Sequence, residues 1–441
     1  MQEESTPRTR EEFATAIEGG VLREIEVAWP DHQGHPRGKR VPAKGFLRRA
    51  EGSGFPFCDA ALAWDMTGDV LDGMRLTGWD TGYGDMIARP DLSTFRWLPW
   101  RPGAGIVISD LVDHHGELIR TAPRTVLQRA VDRIAALGYT AEVGVELEFY
   151  LLDSEGGYLA DGVQCYSLQK ANEMDPAFGG LFEGLSAFCD VEAANVEYGP
   201  AQCEVNLRHA SPMAAGDQAM RFKYAAKELA RRDGAIATFM AKPFNGISGC
   251  SMHLHVSLWK DGEPAFAPDG HDENALHRAA IGGIMRHLPG IVLYGSPTVN
   301  SYKRFEAQSF APTTATWGGD NRTVAVRSLP ETPAASRIEL RTGAADAQPH
   351  WAIAGLLAAV AAGVEGSIDP GEKGQGNLYG VGEPLPKTLF DAVQASRADE
   401  TIVGILGEDA VYDYGVIALA EWERFCLDVT DWDRERYLRL V

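Results

Sequence analysis

Between residues 143 and 149 the chain reads VGVELEF, and its apolar side chains, Val143, Val145, Leu147 and Phe149, fall on every second position. A period of two marks a strand with one buried face, so Glu146 and Glu148 share the other face, about 7 Å apart. Three later stretches repeat the device. AQCEVNL sets Gln202, Glu204 and Asn206 against Cys203, Val205 and Leu207; SMHLHVSL sets His253, His255 and Ser257 against Met252, Leu254, Val256 and Leu258; SRIELRT sets Arg337, Glu339 and Arg341 against Ile338 and Leu340. Between these strands run helical patterns. TAPRTVLQRAVDRIAALG has helical periodicity and a glycine stop, and WAIAGLLAAVAAGV, residues 351–364, is apolar but shorter than a membrane span, which predicts a buried helix. Ahead of residue 110 the pattern is one of short strands and turns, with VLREIEVAWPDHQGHPRGKRVPAKGF extended and turn-punctuated. The Pro-rich LPWRPGAG, residues 98–105, reads as a boundary, giving a smaller unit of residues 1–112 and a larger one of 113–441.

A single amphipathic strand with a solvated polar face needs no functional explanation. Solvated faces, however, are usually decorated with Lys, Thr and Ser, whereas these four carry mostly Glu, His and Arg. If the strands are neighbours in one antiparallel sheet, their polar faces line one concave site. Carboxylates at Glu146, Glu148, Glu197 and Glu204 would repel one another there unless cations sat between them. Oxygen ligands with one imidazole suit Mg2+ or Mn2+ better than zinc. A ring of arginines beyond such cations suits a phosphoryl group in transfer. The sequence has no P-loop and no Rossmann glycine fingerprint to suggest another nucleotide fold.

Composition narrows the partners. With 441 residues, 45% of them hydrophobic, the chain can bury full cores, and its formal charge of −21 opposes nucleic acid and anionic membranes. The start MQEESTPRTREEF lacks the apolar core of a secretory signal, and six scattered cysteines without a CxxC pair fit a reducing cytoplasm.

These strands, in this order, resemble the glutamine synthetase family. The likeness runs through RGKRVP, LPW, VGVELEFYL, EYGPAQCEVNL, ATFMAKPFNGISGCSMHLHVSL, NSYKRF, DNRTVAVR, SRIELR and VTDWDRERYL, nearly the whole chain. It implies an α+β fold: a small N-terminal β-grasp-like domain and a large catalytic domain with a curved antiparallel sheet backed by helices. It also implies a ligase in which ATP phosphorylates the side-chain carboxylate of L-glutamate and an amine then displaces phosphate. Carried over by motif, one metal falls to Glu148, Glu197 and Glu204, and another to Glu146, His253 and Glu339. His255, Ser257, Arg322, Arg327 and Arg337 match positions that hold the nucleotide phosphates or the group being transferred. Arg304 and Arg341 match positions that grip the glutamate carboxylates, the backbone at Gly249 contacts its amino group, and Glu148 and His253 also face the substrate. The resemblance further implies a homo-oligomer of stacked hexameric rings, with Asp65 the candidate for an aspartate supplied to a neighbour's amine pocket.

The chain departs from the family at two places. Ammonia-using members typically carry a glutamate just before the Ala-Pro of the loop after NSYKR; here Phe310 stands in that place, and a phenyl ring cannot accept a proton. Glu306, four residues away, could substitute only if the loop were re-registered. The commoner GSGMH is GCSMH here, which puts Ser251 where glycine is usual. No counterpart is found of the tyrosine-bearing loop that is adenylylated in some bacterial members. Metal, ATP and glutamate positions are kept while the amine position changes. The expectation is a glutamate–amine ligase acting on a polyamine, monoamine, alkanolamine or arylamine. The alternatives are a true glutamine synthetase that tolerates Phe310, a non-catalytic assembly protein, and a ligase with an acceptor other than glutamate.

Overall fold

The computed structural model describes residues 6–163, 165–175 and 177–441. The first five residues of the charged start lie outside them. The N-terminal part builds a five-stranded sheet from β1 (Glu24–Pro30), β2 (Pro36–Pro42), β3 (Phe55–Cys58), β4 (Asp85–Trp97) and β5 (Ala104–Val112), in the order β2-β1-β5-β4-β3. Only the central pair, β1 with β5, is parallel. Phe13, Trp29, Phe46, Phe55 and Phe95 fill the core beneath it, the β-grasp-like arrangement expected.

LPWRPGAG does not divide the chain. Its Pro and Gly residues turn β4 back into β5: Leu98 N–H donates to Ala104 O at 2.9 Å, and Gly103 supplies the positive φ of 76° that the reversal needs. The same punctuation that ends a domain also makes a tight turn, and here β5 returns to pair with β1.

The second sheet has nine strands. β6 (Thr140–Asp153), β7 (Val191–Val196), β8 (Gln202–Ala210), β9 (Ala235–Thr238) and β10 (Met252–Lys260) are joined by Val326–Leu329, Arg337–Leu340 and two short strands. Its main path runs from Trp317–Gly318 through Val326–Leu329, Arg337–Leu340, β10, β6 and β8 to β7, antiparallel throughout except for the first pair. The apolar faces of β6, β8 and β10 are buried, with Val143, Val145, Leu147, Phe149, Cys203, Val205, Met252 and Leu254 all inside one core. Helices Pro123–Ala136 and Pro212–Arg232 back β6.

Behind them the apolar stretch forms the helix Pro349–Gly366, buried from Pro349 to Gly363. It crosses the helix Ala275–Gly295 so closely that a Cβ on Gly283 would stand 2.5 Å from Gly363 Cα, so glycine is required at the crossing. Among the described residues, no helix is long and apolar enough to cross a membrane.

Candidate active site

Strand register assembles the polar faces. Across β6 and β10, Glu146 pairs with His253; across β6 and β8, Glu148 pairs with Glu204 and Glu146 with Asn206. On the other side His255 pairs with Glu339, and Glu339 with Arg327. Directly paired residues project from the same face of a sheet, so one surface carries all of these groups.

Two sets of ligand atoms are close enough to share a cation: Glu146, His253 and Glu339, and Glu148, Glu204 and His253, each within 4.8 Å. His253 Nδ1 lies 3.2 Å from Glu146 Oε2 and 3.8 Å from Glu339 Oε1. Burial would push the Glu146 carboxyl up, but the neighbouring His253 and His255 outweigh it and hold it far below the usual carboxylate range. Glu339 is buried too, yet Arg341 and the two histidines bring it down to about 2. Glu204 has no such partners. Burial, then the charges of Glu146, Glu148 and Glu197, push it up to about 9. Carboxylates forced together at this cost fit a hard divalent cation, for which oxygen donors with one imidazole are a suitable set.

Glu197 stands slightly apart. Its Oε1 accepts from Asn195 Nδ2 at 3.0 Å and its Oε2 from Tyr198 N–H at 3.2 Å, and burial followed by Glu148 raises it.

Beyond the carboxylates sit two buried guanidinium groups. Arg304 Nη1 donates to Ser251 Oγ at 3.0 Å and Nη2 to Thr342 O at 2.6 Å. Arg341 Nη1 donates to Glu339 at 2.6 Å and Nη2 to Phe310 O at 3.2 Å. In both, the buried Nε has no partner among the described residues, and burial lowers Arg304 to about 10. A buried cation with an orphaned donor suits an anionic ligand such as a carboxylate. Gly249 leaves room here, since a Cβ would meet Ala241 O and Arg304 Cγ, each at 2.6 Å.

Further along the face a cleft of about 620 Å³ is lined by Glu142, Glu146, His255, Ser257, Ser336 and Arg337. Among the described residues His255 Nδ1 has no partner, Ser257 Oγ accepts from Trp259 Nε1 at 3.0 Å, and Arg337 Nη1 donates to Ala335 O at 2.9 Å. Arg327 bonds Glu339 at 2.7 Å and Asp320 at 3.0 Å, whereas Arg322 is exposed, 4.0 Å from Asp320.

Residues 120–437 match the family model described as glutamine synthetase, catalytic domain. The chain belongs to the glutamine synthetase family. It is 34% identical over 451 residues to a gamma-glutamylethanolamide synthetase of Streptomyces coelicolor, covering 99% of this chain and 97% of that relative. A glutamate–isopropylamine ligase from a Pseudomonas species is 33% identical over 448 residues, covering 96% and 97%. The solved GmaS/ADP complex superposes with a TM-score of 0.86 at 29% identity, covering 98% of this chain and 100% of that one.

Within this glutamine synthetase fold the residues expected on the amine side behave differently from the cluster. Phe310 has a left-handed backbone, φ 58°, and a half-exposed ring whose centroid lies 5.5 Å from that of Tyr198. Glu306 does not replace a carboxylate there, because its Oε2 pairs with Lys242 Nζ at 3.0 Å. Asp65 does not reach its own chain's cluster. Its carboxylate accepts Thr67 N–H at 2.9 Å and Asp69 N–H at 2.8 Å and pairs with Arg424, so it closes a local turn. Lys303 lies over the Phe425 ring at 5.4 Å, a loop support.

Sequence reasoning left Ser251 without a role and passed over Asn195 and Tyr198. Asn195 lies two positions before Glu197 and Tyr198 directly after it, and that nearness in sequence was the available signal. Gln202 supports the cluster as well, donating to Glu148 Oε2 at 3.2 Å and to Gly249 O at 2.9 Å.

Proposed function

We propose that this chain is an ATP-dependent ligase joining the γ-carboxylate of L-glutamate to an organic amine through a γ-glutamyl phosphate. The observation that carries the choice of amine is Phe310: the carboxylate cluster and both buried arginines are present, while an aromatic ring occupies the place of a proton acceptor for ammonium. The names of the two curated relatives, an ethanolamide synthetase and an isopropylamine ligase, support it, and the ADP of the GmaS complex supports ATP as the phosphoryl donor.

In the first step a γ-carboxylate oxygen attacks the terminal phosphorus of ATP and ADP leaves. In the second the amine nitrogen attacks the acyl carbon, phosphate departs, and the nitrogen gives up a proton. Glu146, His253 and Glu339 would hold one divalent cation, and Glu148 and Glu204, with Glu197, another; Mg2+ or Mn2+ bound there would neutralise carboxylate and phosphate charge. Arg304 and Arg341 grip the glutamate carboxylates through their free Nε–H groups, and Gly249 lets the amino group approach the backbone. His255, Ser257 and Arg337 hold the nucleotide phosphates, with Arg322 and Arg327 stabilising the group in transfer. In this reading the subunit works in the cytoplasm within stacked hexameric rings, twelve chains in all, and Asp65 would serve a neighbouring site only after leaving Arg424.

The test is ADP release with ATP, Mg2+ and glutamate, comparing ammonium with polyamines, monoamines, alkanolamines and arylamines, and the products read by mass spectrometry. Mass of a γ-glutamyl amide is expected. Robust turnover with millimolar ammonium and none with any organic amine would sink the reading.

A further inference from the structure

At the outer edge of the carboxylate cluster the rings of Tyr198 and Phe310 meet at 5.5 Å with their planes 52° apart. Both stay 53% and 46% exposed, respectively, although each is anchored to a group of the site. Tyr198 follows Glu197 directly and its backbone N–H donates to that carboxylate; Phe310 is held by the bond from Arg341 to its carbonyl. The backbone around them is also unusual. Gln308 and Phe310 take positive φ values of 65° and 58°, and so does Tyr166 at 62°, in the loop whose N–H bonds Val196 O. A left-handed aromatic residue is a costly conformation, and such residues gather where a site dictates the backbone rather than where a core does. The two rings therefore form a tilted, water-facing wedge with no packing role to explain it.

We propose that Tyr198 and Phe310 are the walls of the acceptor pocket and select a primary monoamine bearing a short apolar group, an inference that rests on the glutamate–amine reading above. The carbon next to a protonated nitrogen is both apolar and electron-poor, so it gains from apolar contact and from the π-faces together. Ammonium has no such carbon and finds no carboxylate at position 310. A diamine gains no second partner from this loop, because Glu306 is the acidic residue between Lys303 and Thr313 and Lys242 already holds it.

The experiment measures kcat/KM for isopropylamine, n-propylamine, ethanolamine, 1,4-diaminobutane and ammonium in the whole enzyme and in Tyr198→Ala, Tyr198→Phe and Phe310→Leu. Both rings are exposed, so truncation is expected to leave folding intact, checked by thermal melting. Tyr198→Ala is expected to lower kcat/KM for the propylamines about tenfold and that for ammonium by less than about twofold. Tyr198→Phe should retain the preference, Phe310→Leu should lose part of it, and KM for glutamate should stay within about twofold in all three. If the unaltered enzyme uses organic amines but Tyr198→Ala lowers all amines equally, or none, the wedge is overturned and the ligase reading stands. If the unaltered enzyme prefers 1,4-diaminobutane, the monoamine assignment is overturned. Use of ammonium alone overturns the organic-amine reading itself.

Discussion

Ser251 brings a hydroxyl into the glycine position of the family's histidine motif, and the structure shows what the hydroxyl does. Its backbone N–H donates to Glu148 Oε2 at 2.9 Å while its Oγ accepts from Arg304 Nη1 at 3.0 Å. One residue thus links a candidate metal ligand to a candidate glutamate-binding cation. Removing the hydroxyl would leave a second buried donor of Arg304 unpaired, and unsatisfied buried donors cost about 1–3 kcal/mol. Ser251→Gly is therefore expected to raise the KM for glutamate about tenfold, with the KM for ATP little changed. Steady-state kinetics with each substrate varied in turn would show this, and an unaltered glutamate KM would separate Ser251 from the acceptor site. Phe310 offers the complementary test. Phe310→Glu restores a proton acceptor without relaxing the left-handed backbone, so kcat/KM for ammonium should rise by about tenfold or more while that for a propylamine falls. If both change in parallel, position 310 does not choose between them.

The strand pair β6–β8 sets Glu148 directly opposite Glu204, and this register has a thermodynamic consequence. Glu204 has an ordinary value of 4.5 and is raised to about 9 in the fold by burial and by its acidic neighbours. The folded, cation-free protein therefore binds one more proton than the unfolded chain between those two values. The contribution of this one group is full below about 4.5 and declines as pH rises toward about 9, the reverse of an ordinary ion-paired carboxylate. In chelator, thermal melting is expected to show this decline, and Glu204→Gln should raise the melting temperature most at pH 8. Added Mg2+ should stabilise the unaltered protein more than the variant. A variant that melts lower than the parent in chelator at pH 8 would mean that the carboxylates do not repel. This element was legible in the sequence because alternation fixes which side chains share a face. Antiparallel order was not written there, nor was the role of LPWRPGAG, since Pro and Gly mark a hairpin turn and a domain end alike. The left-handed backbone at Phe310 was equally hidden: nothing in QSFAP announces it, and a bond from Arg341, thirty-one residues away, accompanies it.

At the scale of the whole molecule, the N-terminal sheet is tied to the catalytic part through buried polar contacts, among them the cation Arg124. Arg124, at the start of Pro123–Ala136, donates to Asp110 of β5 at 2.7 Å and to Asp91 of β4 at 3.3 Å, and also bonds Asp217 in the helix Pro212–Arg232. Asp217 in turn pairs with His350 at 2.8 Å, at the head of the buried helix Pro349–Gly366. Arg124, Asp217 and His350 are all buried, so each polar group depends on the others for its partners. Burial opposes the Asp217 charge, but Arg124 and His350 hold the carboxyl below its usual range. Removing the guanidinium would strand a buried carboxylate, and breaking a buried pair from one side typically costs about 3–5 kcal/mol. Replacing both partners with apolar side chains of similar size removes the stranded carboxylate but leaves buried His350 Nε2 without its partner. Arg124→Ala is thus expected to lower unfolding stability by about 3–5 kcal/mol in urea titrations, while Arg124→Met combined with Asp217→Leu recovers part of the loss. A loss under about 1 kcal/mol in the single variant would show that the two sheets are joined by other contacts rather than by this cluster. In that case the fixed relation between the β-grasp-like sheet and the carboxylate-lined face would have to come from contacts such as Tyr224 with Glu26, which meet at 3.0 Å across the same seam.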